Sequence, residues 1–291
     1  RDNYYAVING NKDIFLDNNA TLNSGDDYYV TGTTFFQIYG LYCFDRNLRI
    51  ILLKALLQAE QNICTKVSYR FSEVYTSEFS HLNVNNFSKT NLPKATELVS
   101  KLSNATQRNA RYTMFSHYLT THQDLPLWVL VTKLTFGEIT NFYKLITPNI
   151  QERILKDIHK EYTGEYKVSI TDPTSTLIPV FSEILDVLVG YRNVCAHGDR
   201  LYNHRIIGPK KTIKKLTYYF VQTPKGSESS VYGVLISLRL LLPRISYKCI
   251  IDEVINQLLL LSEPLPVLQF NQVLARMELT LQWNHSLELL Q

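Results

Sequence analysis

Glycine and proline are scarce, 11 and 10 in 291 residues. Sandwiches and barrels need a turn every few residues, and turns draw on both types. The shortage argues against those folds and favours long helices. Cysteine is rarer still: Cys43, Cys64, Cys195 and Cys249 stand far apart with no Cys-x-x-Cys pair. That gives neither a disulfide framework nor a zinc site, and it fits a reducing cytoplasm. No Gly-rich phosphate loop is present, and His117 and His122 lack the carboxylate arrangement of a zinc-protease helix. No metal and no cofactor are expected. The best apolar run, Val231 to Leu242, is too short to cross a bilayer and carries Arg239, so no membrane partner is expected. Charged residues make up only 19%, against 45% hydrophobic and 12% aromatic, which excludes a disordered chain. The net charge of +4 is mildly basic and compatible with a nucleic-acid partner. The chain opens at Arg1-Asp2-Asn3 without methionine, so residues ahead of it are expected to be missing or removed. Sequons at Asn19, Asn86, Asn104 and Asn284 read as chance matches.

What is abundant is 3.6-residue periodicity. Residues 1–35 are polar and read as loops with one or two short helices. Phe36, Ile38, Tyr39 and Tyr42 then recur at helical spacing, and Leu48, Ile51, Leu52, Ala55, Leu56, Ala59 and Ile63 mark the apolar face of a long helix with Asp45 as its N-cap. Residues 76–108 read as a surface loop leading to a short helix. Asp124 caps a helix with Pro126 in its first turn, running through Trp128 towards Gly137, with Trp128 and Phe136 in the core. Further helices are expected at 138–145 and 151–162. From Pro173, Leu177, Val180, Phe181, Ile184, Leu185, Leu188 and Tyr191 keep the period as far as His197, with Gly198 as a left-handed cap. Residues 217–233 read as a strand, a hairpin or an extended loop, and helices resume at 231–242, 250–261 and about 266–283. The expectation is a mostly α, single-domain chain.

Chemistry concentrates at the end of the helix that closes on His197. Arg192, Asn193 and His197 are polar there. Asn193 and His197, at i and i+4, share one face. Arg192 is roughly 140° round the helix from His197, within reach of the same cleft for a long side chain. Arginine, amide and imidazole without a carboxylate suit metal-independent cleavage of RNA. The imidazole moves a proton near neutral pH, and the guanidinium binds the phosphorane oxygens. Read blandly, the same residues are only a C-terminal helix cap.

Arg192-Asn193-Val194-Cys195-Ala196-His197, followed by Arg200-Leu201-Tyr202-Asn203, resembles the signature of Abi-like proteins of the AbiD/AbiF type. These are bacterial abortive-infection proteins of the HEPN superfamily, with its Arg-x4–6-His motif. Asn3-Tyr4-Tyr5 with Lys12-Asp13, Phe44-Asp45-Arg46-Asn47-Leu48-Arg49, Leu125-Pro126-Leu127-Trp128 with Leu134-Thr135-Phe136-Gly137, and Met277 to Trp283 are similar to further family segments in the same order. Thr132 stands where members often carry Glu, and Cys64 where they often carry Arg. The resemblance implies a HEPN-type helical bundle with additional flanking helices: an N-terminal extension at 1–35, the core at 36–200, and a basic segment with closing helices at 201–291. It also implies a homodimer that forms one composite ribonuclease site. There His197 is the acid/base, Arg192 holds the phosphate and Asn193 assists. A structured noncoding RNA acting as antitoxin is the implied partner besides substrate RNA.

The run after the motif supplies a candidate RNA track. Arg200, Tyr202, Asn203, His204, Arg205, Lys210, Lys211, Lys214 and Lys215 are expected to contact RNA, with Tyr202, Tyr218 and Tyr219 placed to stack on bases. A solvated loop is the plain alternative. Cys195 reads as a buried small side chain. Three functions fit: a toxin-type endoribonuclease, a non-catalytic protein that holds a structured RNA, and a helical scaffold.

Overall fold

The computed structural model describes residues 4–167, 169–170, 173–206 and 229–279. Among them lie eleven α-helices: α1 (Asn18–Ser24), α2 (Phe35–Val74), α3 (Leu92–Asn109), α4 (Thr113–His117), α5 (Leu127–Leu130), α6 (Phe136–Leu145), α7 (Pro148–Tyr166), α8 (Thr174–His197), α9 (Val231–Leu241), α10 (Arg244–Ser262) and α11 (Val267–Met277). Short π and 3₁₀ turns fill several of the gaps. Two isolated bridges, Leu16 to Tyr29 and Phe87 to Ile146, are the extended pairing among the described residues. The mostly α expectation is met. Most of 217–233 and the end of the expected last helix, with Trp283, lie outside the described residues.

The axis of the molecule is α2. Forty residues at 1.5 Å rise make it roughly 60 Å long. A capping box opens it: Thr34 N–H donates to Gln37 Oε1 at 3.0 Å. Its buried stripe runs from Leu41 through Leu48, Leu52, Leu56 and Ile63 to Phe71, with Ala55 and Ala59 letting neighbours approach closely. One side of α2 packs on α8, and another on α10. Polar contacts fix α2 against the later helices: Asn47 Nδ2 donates to Gln257 Oε1 of α10 at 2.9 Å, and Asn62 Nδ2 to the carbonyl of Leu241, the last residue of α9, at 2.9 Å.

Asp45 is not an N-cap. The helix has begun ten residues earlier, and Asp45 lies buried within it. Asp124 is not a cap either. Its Oδ1 accepts from Phe79 N–H at 2.7 Å and from Leu125 N–H at 2.8 Å, and Pro126 stands at the N-cap of α5. The expected continuous helix towards Gly137 breaks. A 3₁₀ turn follows α5, and the capping box of Thr135 and Glu138 restarts the chain as α6, with Gly137 inside it. Phe136 is in the core, but Trp128 is 53% exposed, against expectation.

Helix α8 begins after Pro173 and ends at Gly198, whose φ of +81° and N–H to the Val194 carbonyl at 3.2 Å form the expected cap. By length and composition α8 is apolar enough to cross a membrane, which the sequence reading missed. Its apolar face packs on α2, α6, α7 and α9, as a core helix does. All eleven residues of α9 are buried, Arg239 included. The Arg239 guanidinium lies 4.4 Å over the Tyr166 ring, so a cation–π contact answers its charge.

Candidate functional site

The last turns of α8 divide their side chains by face. Tyr191, Val194 and Cys195 point into the core, and Asn193, Ala196 and His197 are exposed. Neither the Asn193 amide nor the His197 imidazole makes a hydrogen bond or ion pair among the described residues. Arg192 lies between the faces and turns towards α2, where its Nε stands 3.5 Å from Glu60 Oε2. The structure therefore places Asn193 and His197 on one face as expected, and gives Arg192 a carboxylate partner that the sequence reading did not find.

Glu60 is the meeting point of three helices. It comes from α2, pairs with Arg192 of α8, and its negative charge is favoured by the backbone N–H of Phe136 at the start of α6. Burial raises its carboxyl above the ordinary glutamate value, and Arg192 and the Phe136 amide oppose that rise. Leu134-Thr135-Phe136-Gly137 thus brings a helix N-terminus, which favours negative charge, onto a half-buried carboxylate. Gly137 faces Val189 of α8, where a Cβ would make an ordinary contact at 3.8 Å. One turn further along α2, Cys64 is buried, and desolvation pushes its thiol up to about 12.

The chain after His197 is fastened to α2 at a second point. Asp45 Oδ1 accepts the backbone N–H of Leu201 at 2.9 Å and of Tyr202 at 2.8 Å, and its other oxygen pairs with Arg49. Arg49 in turn donates to the Asp199 carbonyl at 3.2 Å. Burial raises the Asp45 carboxyl against the pull of Arg49 and the two amides. Phe44 to Arg49 and Arg200 to Asn203 are two halves of one lock, which fixes the loop leaving His197.

That lock reassigns several candidates for RNA contact. Arg200 donates to the Gly10 carbonyl at 2.6 Å and to Asp13 Oδ1 at 3.1 Å, and Asp13 also pairs with Arg276 of α11. Tyr202 is fully buried among these groups, so it presents no ring face on which a base could stack. Arg205 pairs with Glu278. His204 is partly buried and packs edge-on against Tyr191 at 5.2 Å. Desolvation lowers its pKa, and Asp199 opposes the shift. Asn203 is half-exposed, with a side chain that makes no hydrogen bond among the described residues. Lys210, Lys211, Lys214 and Lys215, with Tyr218 and Tyr219, lie outside the described residues.

Tyr191 closes the back of the site. It is fully buried, and its hydroxyl lies 2.7 Å from the His204 carbonyl and 3.0 Å from that of Ser229. Burial raises its pKa. Cys195 is buried as expected, its thiol pushed up to about 12 by desolvation, which suits packing and not nucleophilic attack. No group of three or more His, Cys, Asp or Glu side chains among the described residues could hold a metal ion.

Glu60, Asp45 and Asp13 are the residues that sequence reasoning missed. Their signal was a carboxylate on an apolar helical face or beside a recognisable motif. Without a fold, no cation could be matched to any of them. No curated protein and no solved structure matches the chain. The sequence model of Abi-like protein matches residues 1–203. That span holds the Asp45 lock, the Glu60 junction and the exposed end of α8, and the chain belongs to the Abi-like protein family.

Proposed function

We propose that this protein is an abortive-infection effector that cleaves RNA without a metal, at a HEPN-type site completed by a second copy of the chain. Membership of the Abi-like family supports the abortive-infection role. The observation that carries the chemistry is the end of α8. Asn193 and His197 are solvent-facing and uncommitted there, next to an arginine held by a half-buried carboxylate. A ribose 2′-hydroxyl attacks the adjacent phosphorus, His197 accepts its proton, and the bond to the 5′-oxygen breaks. The leaving oxygen needs a proton donor, and one chain offers a single histidine at this end of α8. The His197 of a second copy supplies that group. Arg192 binds the equatorial oxygens and Asn193 orients the phosphate.

The test is cleavage of RNA in EDTA by purified protein. Arg192→Ala and His197→Ala should each abolish it, Asn193→Ala should reduce it, and products should end in 2′,3′-cyclic phosphate. Products with 5′-phosphate, or a magnesium requirement, would sink the reading. Sedimentation should give an even-numbered oligomer.

The pairing of Arg192 with Glu60 favours a second reading, in which the site holds a structured RNA without cutting it, because the guanidinium charge is already answered. RNA that binds the wild-type protein and remains intact would select it. In either reading the basic run is the backbone track. Changing Lys210, Lys211, Lys214 and Lys215 together to Gln should weaken binding to all sequences alike. It should also lower the salt dependence by about one slope unit for each phosphate that is no longer neutralised. The expected compartment is the cytoplasm, and a structured noncoding RNA is the proposed restraining partner.

A further inference from the structure

A cavity lies away from the C-terminal end of α8, where the C-terminal end of α2 meets the turn before α5. Its volume is about 240 Å³, and Tyr75, Ser77, Phe79, His81, Asp124 and Trp128 are among its lining residues. Glu60 and Ser72 are separated by twelve residues of α2, roughly 18 Å along the helix, so this cavity is separate from the proposed catalytic end.

Its chemistry is unusual for a surface crevice. His81 is only 1% exposed, yet its Nε2 has no hydrogen-bond partner among the described residues. A buried polar atom left so is costly. Desolvation pushes this imidazole down to about 4, so the ring is neutral near pH 7, with one donor and one acceptor nitrogen. Asp124 spends Oδ1 on the amides of Phe79 and Leu125, and its Oδ2 makes no hydrogen bond among the described residues. Phe79 is held at φ +48°, a left-handed conformation uncommon for a bulky residue, by the amide that Asp124 grips. Trp128, a large ring left 53% exposed, stands at the mouth. No lysine or arginine lines the cavity, so nothing there recognises a phosphate.

We propose that this cavity binds a single amino-bearing nucleobase, stacked on Trp128 and read at its edge by His81 and Asp124. The volume admits one base and leaves the sugar and phosphate in solvent. A carboxylate oxygen only accepts, so it selects an exocyclic amine, and the two carbonyls that flank the ring N–H of uracil repel it. The neutral imidazole meets a donor or an acceptor beside it. Exposed aromatic rings stack on any base, so the edge groups set the choice, and uracil, which has no amine, is the disfavoured base. A free mononucleotide and an unpaired base of RNA present the same chemistry. The proposal stands apart from the ribonuclease reading, since it needs no cleavage.

The test uses full-length protein carrying Trp283→Phe, which leaves Trp128 as the sole tryptophan. Its fluorescence is titrated with adenosine, guanosine, cytidine and uridine 5′-monophosphates, and with a 2′-O-methyl single-stranded oligonucleotide that cannot be cut by 2′-hydroxyl attack. The expected result is saturable quenching by at least one amino-bearing ligand, with uridine monophosphate at least tenfold weaker. Saturation by monophosphates identifies a free-nucleotide site. Saturation by the oligonucleotide alone identifies a base presented by RNA. In calorimetry with the same ligand, Trp128→Leu or the mouth-blocking Ser77→Trp should abolish binding, and both changes are at exposed positions. His81→Gln, which keeps a donor and an acceptor, should weaken binding less than His81→Leu. No saturable quenching by any ligand, equal affinity for uridine monophosphate, or binding that survives Trp128→Leu and Ser77→Trp would overturn the proposal.

Discussion

Glu60 Oε2 and Arg192 Nε lie 3.5 Å apart and join the middle of α2 to the end of α8. Removing Arg192 therefore does two things: it deletes a phosphate ligand, and it strands a half-buried carboxylate. Glu60 has a raised carboxyl pKa in the folded state. The stability linked to it is full below the ordinary glutamate value and is lost as pH rises through the raised one. Arg192→Ala should then cost on the order of 2 kcal/mol at pH 7.5 and distinctly less at pH 4. Adding Glu60→Gln should recover most of that loss without restoring RNA cleavage. Urea denaturation at the two pH values separates the two roles.

Asp45 supports the loop after His197 through two amides and Arg49. Asp45→Ala leaves the amides of Leu201 and Tyr202 without an acceptor and Arg49 without a charge partner. A loss of roughly 3–5 kcal/mol is expected. Asp45→Asn keeps an oxygen acceptor and should cost less than half as much. Chemical denaturation of the two variants gives the comparison.

A Cβ at Gly190 would fall 2.3 Å from Cδ1 of Ile206 and 3.2 Å from its Cγ1, so the Ile206 side chain would have to move aside. In an otherwise unhindered helix, Gly→Ala stabilises by about 1 kcal/mol. Here Gly190→Ala should destabilise by about 1–3 kcal/mol through overpacking. In an Ile206→Ala background the same change should turn stabilising. A double-mutant cycle by thermal denaturation would show the reversal of sign.

His81 and His159 are both buried, and desolvation pushes each down to about 4. A histidine with a depressed folded pKa gives stability that is full above its ordinary value of 6.5 and is lost as pH falls towards 4. The protein should lose stability steadily over that window, with roughly 3 kcal/mol due to His81 alone. His159→Gln should flatten part of the slope when the denaturation midpoint is followed by circular dichroism from pH 7 to pH 4.

Helices with a one-sided apolar period are legible in the sequence. The span of α8 and its Gly198 cap can be read to within a residue, because Leu177 to Tyr191 keeps one face and glycine tolerates φ of +81°. The start of α2 cannot, because Asp45, a good cap by type, is consumed by two amides 156 and 157 residues away. Hydrophobicity alone assigns Trp128 to the core, and the turn made by Asp124 and Phe79 directs it outwards. In the candidate site, the side chains on one helix are visible from spacing. Glu60 is not, because its partner lies 132 positions along the chain and only the packing of α2 on α8 brings them together.

The family match ends at residue 203, but the packing around the site does not. Helix α9 is buried along its whole length against α2, α7 and α8, and Arg276 of α11 ties Asp13 to the loop that follows His197. During synthesis, Glu60, Arg192 and His197 leave the ribosome first, on helices whose faces towards α9 and α10 have nothing yet to cover them. Only α9, α10 and α11 close those faces and steady the turn after α8. For a protein proposed to attack RNA, the order of translation acts as a delay. The residues that would do the cutting are made first, and the helices that aim them follow.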